Sequence, residues 1–157
     1  MSTAVHLIRH AKAKNRVTWE EPDDLRPLTK RGRREADAVA ARLGDEPLSR
    51  LVSSPFLRCL QTLEPLSAEL DLPIETTDAL AEGSDGARAA ELMLGLAATG
   101  SIACCTHGDV LFDVVALLAD AGIPLDGPSE APVASTWVLA VEGGRFVGAR
   151  FVEQPPR

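Results

Sequence analysis

Two histidines and two arginines stand at matching places in this sequence. Arg9-His10 follows the apolar run Val5-His6-Leu7-Ile8, Ser53-Ser54 follows Leu51-Val52 with Arg58 one helical turn on, and Thr106-His107-Gly108 follows Ile102-Ala103-Cys104-Cys105. Short apolar runs of this kind predict buried strands. Each set therefore sits at a strand exit, where α/β sheets collect ligands. The chemistry such residues suit is phosphoryl transfer, which needs fixed positive groups and hydrogen-bond donors around three charged oxygens. Arginine binds phosphate through two parallel charge-assisted bonds and stays protonated, so Arg9 and Arg58 are candidate clamps. A neutral imidazole can attack phosphorus with its free nitrogen while a carbonyl holds its other N–H.

The elements that must position these groups are legible in outline. Val5–Arg9, Leu51–Ser53 and Ile102–Cys105 read as strands. Thr29 is placed to cap a helix with Ala36, Val39, Ala40 and Leu43 on one stripe and Gly44 closing it. Ser54-Pro55 reads as an N-cap with proline in the first helical position, opening a helix whose stripe is Leu60, Leu63, Ser67 and Leu70. The N-termini of this helix and of the helix after Gly108 would add backbone N–H groups for an anion. Ala87–Thr99 and Asp109–Ala121 read as two further helices, ended by Gly100 and Gly122. Thr136–Val141 and Arg145–Phe151 flank Glu142-Gly143-Gly144, a hairpin signal. The expected fold is a single α/β domain over residues 1–157, a three-layer α/β/α sandwich with a largely parallel sheet and a C-terminal antiparallel hairpin.

Charge narrows the function classes. The chain has 16 basic and 23 acidic residues, a net charge of −7, and only 4% aromatic residues. That argues against a nucleic-acid binder, which needs a basic face and stacking rings. Yet residues 1–34 hold nine basic and four acidic side chains, a net +5 that leaves the remainder at −12. Of this basic segment, only Arg9 and Arg26 are expected to touch a ligand. The three cysteines, Cys59, Cys104 and Cys105, fit a reduced cytoplasmic protein, with no secretory signal and no membrane partner expected. Cys59 reads as a small packed residue, Cys104 and Cys105 as inert, and His6 as structural. No Cys/His cluster has zinc spacing, so no metal or cofactor is expected.

Leu7-Ile8-Arg9-His10-Ala11-Lys12-Ala13 resembles the Arg-His signature that opens the histidine phosphatase superfamily, also called phosphoglycerate-mutase-like. The run Ser53–Thr62 is similar to its second motif, and Cys105-Thr106-His107-Gly108 to its third. The resemblance is nearest the short SixA-type phosphohistidine phosphatases, through Arg26-Pro27-Leu28-Thr29, Gly32 and Ser54-Pro55-Phe56-Leu57-Arg58. It extends to phosphatase domains fused to Nudix hydrolases, through the Ser135–Leu139 strand.

The resemblance implies that His10 is the phosphorylated nucleophile and that Arg9, Arg58 and a protonated His107 complete the phosphate pocket. It also points Arg26 toward the phosphate. Leu80-Ala81-Glu82-Gly83 fits the context in which many members carry a general acid. An alkoxide leaves poorly without a proton, so Glu82 favours a phosphate ester over phosphohistidine as substrate. Asp109 reads as a first-turn acid complementing the helix dipole. The expected activity is metal-independent hydrolysis of a phosphomonoester or a phosphohistidine protein. A mutase-type phosphotransferase and a non-catalytic phosphate- or phosphopeptide-binding module are the alternatives. The substrate side walls are expected from the loops Lys12–Asp24, Glu82–Gly86 and Pro124–Pro132; these carry no readable specificity motif, and oligomeric state is open.

Overall fold

Seven strands form one sheet in the order β3-β2-β4-β1-β6-β7-β5 in a computed structural model that describes residues 2–128 and 131–153. The strands are β1 (Ser2–Arg9), β2 (Leu48–Ser53), β3 (Ile74–Thr76), β4 (Ser101–Thr106), β5 (Leu125–Asp126), β6 (Thr136–Glu142) and β7 (Arg145–Val152). β1, β2, β3 and β4 run parallel, and β6 lies antiparallel between β1 and β7. The largely parallel sheet with a C-terminal hairpin is as expected. Gly143 and Gly144 both take positive φ at the hairpin tip, the backbone that matches the twist of paired strands.

Central strands buried on both faces explain the apolar runs. Val5, Leu7, Ile102 and Cys104 pack under α3 (Gly86–Leu96) and α4 (Gly108–Asp120), while Ile8, Leu51, Ala103 and Cys105 pack under α1 (Lys30–Leu43) and α2 (Leu57–Leu70). Successive residues of one strand thus serve opposite layers, giving the three-layer sandwich. The Thr29 cap is present, its hydroxyl accepting the Gly32 N–H at 3.0 Å.

Three local readings are corrected. α2 begins at Leu57 with Phe56 at its N-cap, not at Pro55 after a Ser54 cap. Its buried stripe is Cys59, Leu63 and Leu66 rather than Leu60, Leu63, Ser67 and Leu70, because Arg58 and Thr62 also turn inward and rotate the face. Gly44 ends α1 with φ at −62°, so no left-handed turn closes that helix. The edge strands β3 and β5 were not anticipated. At three and two residues they are too short to show an alternation.

Candidate active site

Because β2, β4 and β1 are neighbours and parallel, their carboxyl ends lie side by side. The register sets Arg9 opposite Thr106 and Ser53 opposite Cys105. The pairing carries one residue further: the His10 N–H donates to the Thr106 carbonyl and the Ser54 N–H to the Cys105 carbonyl, both at 3.0 Å. His10 and His107 are thereby brought together, ring centroids 5.4 Å apart and edge to face. The sequence-level convergence of the three strand exits is therefore real.

His10 is held in one tautomer. Its Nδ1 lies 2.8 Å from the Ala11 carbonyl. A carbonyl only accepts, so Nδ1 carries the hydrogen and Nε2 keeps its lone pair. Burial, with the charges of His107, Arg58 and Arg9, outweighs the Ala11 bond and pushes the His10 pKa down to about 3. The imidazole is neutral at physiological pH. The same shift has a stability consequence. Between pH 6.5 and about 3 the unfolded chain takes up a proton that folded His10 refuses, so stability falls as pH drops through that window. The slope approaches about 1.4 kcal/mol per pH unit for one proton. Urea unfolding from pH 6.5 to 4 is expected to show a shallower slope in His10→Asn than in the parent. Equal slopes would remove His10 from the pH dependence; the residual slope belongs partly to His6, whose pKa burial also lowers.

His107 is 1% exposed. Its Nε2 shares a 2.9 Å bond with Ser54 Oγ, which also accepts the Phe56 N–H at 3.2 Å. Ser54 therefore orients His107 instead of capping α2. Cys59 Sγ packs behind the same nitrogen at 3.6 Å, and the Phe56 ring stands 4.8 Å from the imidazole. Burial pushes the Cys104 and Cys105 thiols well up, as suits inert packing groups.

The two arginines differ in place: Arg9 borders the cleft, whereas Arg58 lies buried and is not among the residues that line it. Arg9 Nη1 donates to the Ala131 carbonyl at 2.7 Å, and a Cβ at Gly108 would fall 3.1 Å from its guanidinium. A side chain at this position in the first turn of α4 would have to push the guanidinium back by a few tenths of an ångström. Arg58 is fully buried, its Nη1 donating to the Asp23 carbonyl at 2.8 Å and its Nη2 to Asp23 Oδ2 at 3.0 Å and Glu82 Oε1 at 3.2 Å. Its guanidinium also lies 4.9 Å over the Phe56 ring. Arg26 is buried beside the cleft, but its Nε bonds Asp23 at 3.0 Å and its Nη1 the Lys14 carbonyl at 2.7 Å, so it also braces the loop.

Glu82 joins the group. Besides Arg58, its Oε1 accepts from Arg16 Nη2 at 2.8 Å and lies 3.9 Å from His107 Nδ1. Asp109 sits in the first turn of α4 as expected and also accepts the Gly83 N–H at 2.8 Å, which anchors the Glu82 loop.

Sequence reasoning missed two features. Asp23 links Arg26, Arg58 and, at 3.9 Å, Arg16. Burial pushes its carboxyl up, but the bonds and charges of Arg26 and Arg58 together hold it below the usual range. Lys12, Lys14 and Arg16 also line the cleft of about 790 Å³ that Arg9, His10 and Arg26 border. Beside Arg9 and Arg26, three further basic residues of that segment thus border the cleft. The Lys12–Asp24 and Glu82–Gly86 loops contribute walls as expected, and Ser129 and Glu130 of the third loop lie outside the described residues. Among the described residues no group of three His, Cys, Asp or Glu side chains is arranged to hold a metal ion, and no helix is long and apolar enough to cross a membrane.

Eight buried side-chain polar atoms have no partner among the described residues, and three of them, Arg9 Nε, Arg58 Nε and His107 Nδ1, belong to the set around His10. These three come from β1, α2 and the β4–α4 junction. Buried polar atoms are nearly always paired, so donors left over at one place call for an acceptor. A tetrahedral anion beside a neutral imidazole meets that need.

Comparison with known proteins bears on the family and the fold. The model of the histidine phosphatase superfamily (branch 1) matches residues 5–89. The 8-oxo-(d)GTP phosphatase of Mycolicibacterium smegmatis is 32% identical over 155 residues, 96% of this chain and 48% of that protein. An uncharacterised protein of Mycobacterium tuberculosis is 31% identical over 85 residues, 53% of this chain and 42% of its own length. The chain therefore spans about half the length of the curated relatives it matches. Among solved structures, the protein histidine phosphatase SixA complexed with tungstate superposes with a TM-score of 0.76 at 24% identity, covering 98% of this chain and 96% of that one. Mycobacterial glucosyl-3-phosphoglycerate phosphatase superposes with a TM-score of 0.72 at 16% identity, covering 99% and 100%.

Proposed function

The chain belongs to the histidine phosphatase superfamily, and from that premise we propose that it is a phosphatase that works without a metal ion, through a phosphohistidine on His10. The observation that carries this reading is the set of unpartnered donors, Arg9 Nε, Arg58 Nε and His107 Nδ1, gathered around a neutral His10. They supply the charge and hydrogen bonds that a transferring phosphoryl group requires.

In the first step the His10 Nε2 lone pair forms a bond to phosphorus as the bond to the leaving oxygen breaks. The leaving oxygen takes a proton that the Glu82 carboxylate gains from solvent as the substrate dianion binds. That proton is best placed on Oε2, because Oε1 accepts from Arg16 and Arg58. In the second step water attacks phosphorus, the P–N bond breaks, and Nε2 regains its lone pair. The water proton passes to Glu82 and on to solvent, inorganic phosphate leaves, and the starting state is restored. Arg9, Arg58 and His107 hold the equatorial oxygens throughout.

The relatives suggest the substrates to try first: a nucleotide, a small phosphorylated acid and a phosphohistidine protein. Glu82 separates ester from phosphohistidine chemistry. Glu82→Gln is expected to slow phosphate release from an alkyl phosphate by about 10²-fold or more, and release from phosphohistidine far less. Colorimetric phosphate assays on both substrates check this. Equal slowing would remove Glu82 from the proton transfer. Phosphate bound by the parent protein with none released from any substrate would leave a binding module in place of an enzyme.

A further inference from the structure

The cleft holds more positive charge than one phosphoryl group can use. Arg9, Lys12, Lys14, Arg16 and Arg26 line it against two carboxylates, Glu82 and Asp109. Arg16 is matched by Glu82 at 2.8 Å, and Arg26 by Asp23 at 3.0 Å. Arg9 and Arg58 answer the phosphate to be transferred, which carries about two negative charges. The six basic groups against Asp23, Glu82, Asp109 and that phosphate leave a surplus of one positive charge. Lys12 and Lys14 remain, with no carboxylate partner among the described residues.

These two lysines are displayed by a rigid platform. Ala13 between them is 6% exposed and bridges to Leu28. The Thr29 N–H donates to the Lys12 carbonyl and the Lys14 N–H to the Pro27 carbonyl, both at 3.0 Å. The Lys12 N–H donates to Glu35 Oε1 at 2.9 Å. In such an extended segment residues on either side of an inward one point the same way. With Ala13 turned into the core, Lys12 and Lys14 share the outward face. Gly32 permits the arrangement, since a Cβ there would lie 2.1 Å from the Lys12 carbonyl oxygen.

We infer that the substrate carries a second phosphate group, as a phosphoric anhydride or a bisphosphate, and that Lys12 and Lys14 bind it while Arg9 and Arg58 hold the phosphate to be transferred. This rests on the reading of the Arg9, Arg58 and His107 pocket as the phosphoryl-transfer site. A phosphohistidine side chain on a protein offers no second phosphate, so it is a poor match for this wall.

The test is calorimetric binding of orthophosphate, pyrophosphate and propanediol bisphosphate to the whole protein. At least one two-phosphate ligand is expected to bind about tenfold tighter than orthophosphate, the return from two exposed ion pairs. Which of the two it is distinguishes an anhydride from a spaced bisphosphate. Lys12→Ala/Lys14→Ala, at exposed positions, is expected to abolish the preference and to flatten its dependence on salt. Equal binding of all three ligands, or a preference that survives the double substitution, would overturn the inference. Loss of His10-dependent turnover with the preference intact would instead count against the proposed phosphatase chemistry.

Discussion

Replacing His10 by alanine is expected to lower phosphate-ester turnover by about 10⁴-fold or more, the scale seen when a covalent nucleophile is removed from an assembled site. No neighbouring group is positioned to substitute. His107 Nε2 is engaged with Ser54 at 2.9 Å, and its Nδ1 lies 3.9 Å from Glu82 Oε1. The buried cysteines lie behind the histidines: Cys59 is fully buried and touches His107 from the side of α2. Phosphate binding should survive the substitution, because Arg9, Arg58 and His107 are untouched. Steady-state kinetics on an alkyl phosphate, with phosphate affinity measured alongside, checks this. Turnover within about tenfold of the parent would exclude His10 as nucleophile.

The second large effect is expected at Arg58. Arg58→Lys keeps the charge but not the planar fork, and kcat/KM should fall by about 10²- to 10³-fold. In the parent, Nη1 and Nη2 secure Asp23 and Glu82 while Nε is left without a partner among the described residues. A lysine ammonium has three donors on one nitrogen and cannot serve the Asp23 carbonyl, the Asp23 and Glu82 carboxylates and a phosphate together. The Asp23 carboxyl, held down by Arg26 and Arg58 together, should rise toward its ordinary range. Kinetics, with thermal unfolding to confirm that the variant is folded, decides the matter. A loss below about fivefold in a folded variant would mean that Arg58 serves only to brace Asp23 and Glu82.

What the sequence made legible follows from its physics. Buried parallel strands are apolar on both faces, so Val5–Arg9 and Ile102–Cys105 stand out, and the residues at their exits stand out with them. Arg9, His10, Arg58 and His107 were accessible for that reason. Asp23 was not, because a carboxylate in a polar loop looks the same whether it meets solvent or a buried arginine 35 residues away. Ser54 misled because serine before proline is a good helix cap, and nothing local reveals that its hydroxyl is bound to a histidine 53 positions on. Lys12 and Lys14 looked like ordinary surface charge. Their common direction depends on a bridge from Ala13 to Leu28, a pairing that periodicity does not disclose. The buried face of α2 was misjudged because Arg58, a charged residue, is part of it.

The central claim is that His10 becomes phosphorylated during turnover. Rapid acid-free quenching of the protein during turnover of a labelled phosphate ester, followed by peptide mapping, measures this most directly. The account predicts a label on the peptide containing His10, labile in acid and stable in base, and absent from His10→Ala. A label on another residue, or full activity in His10→Ala with the label retained, would contradict it.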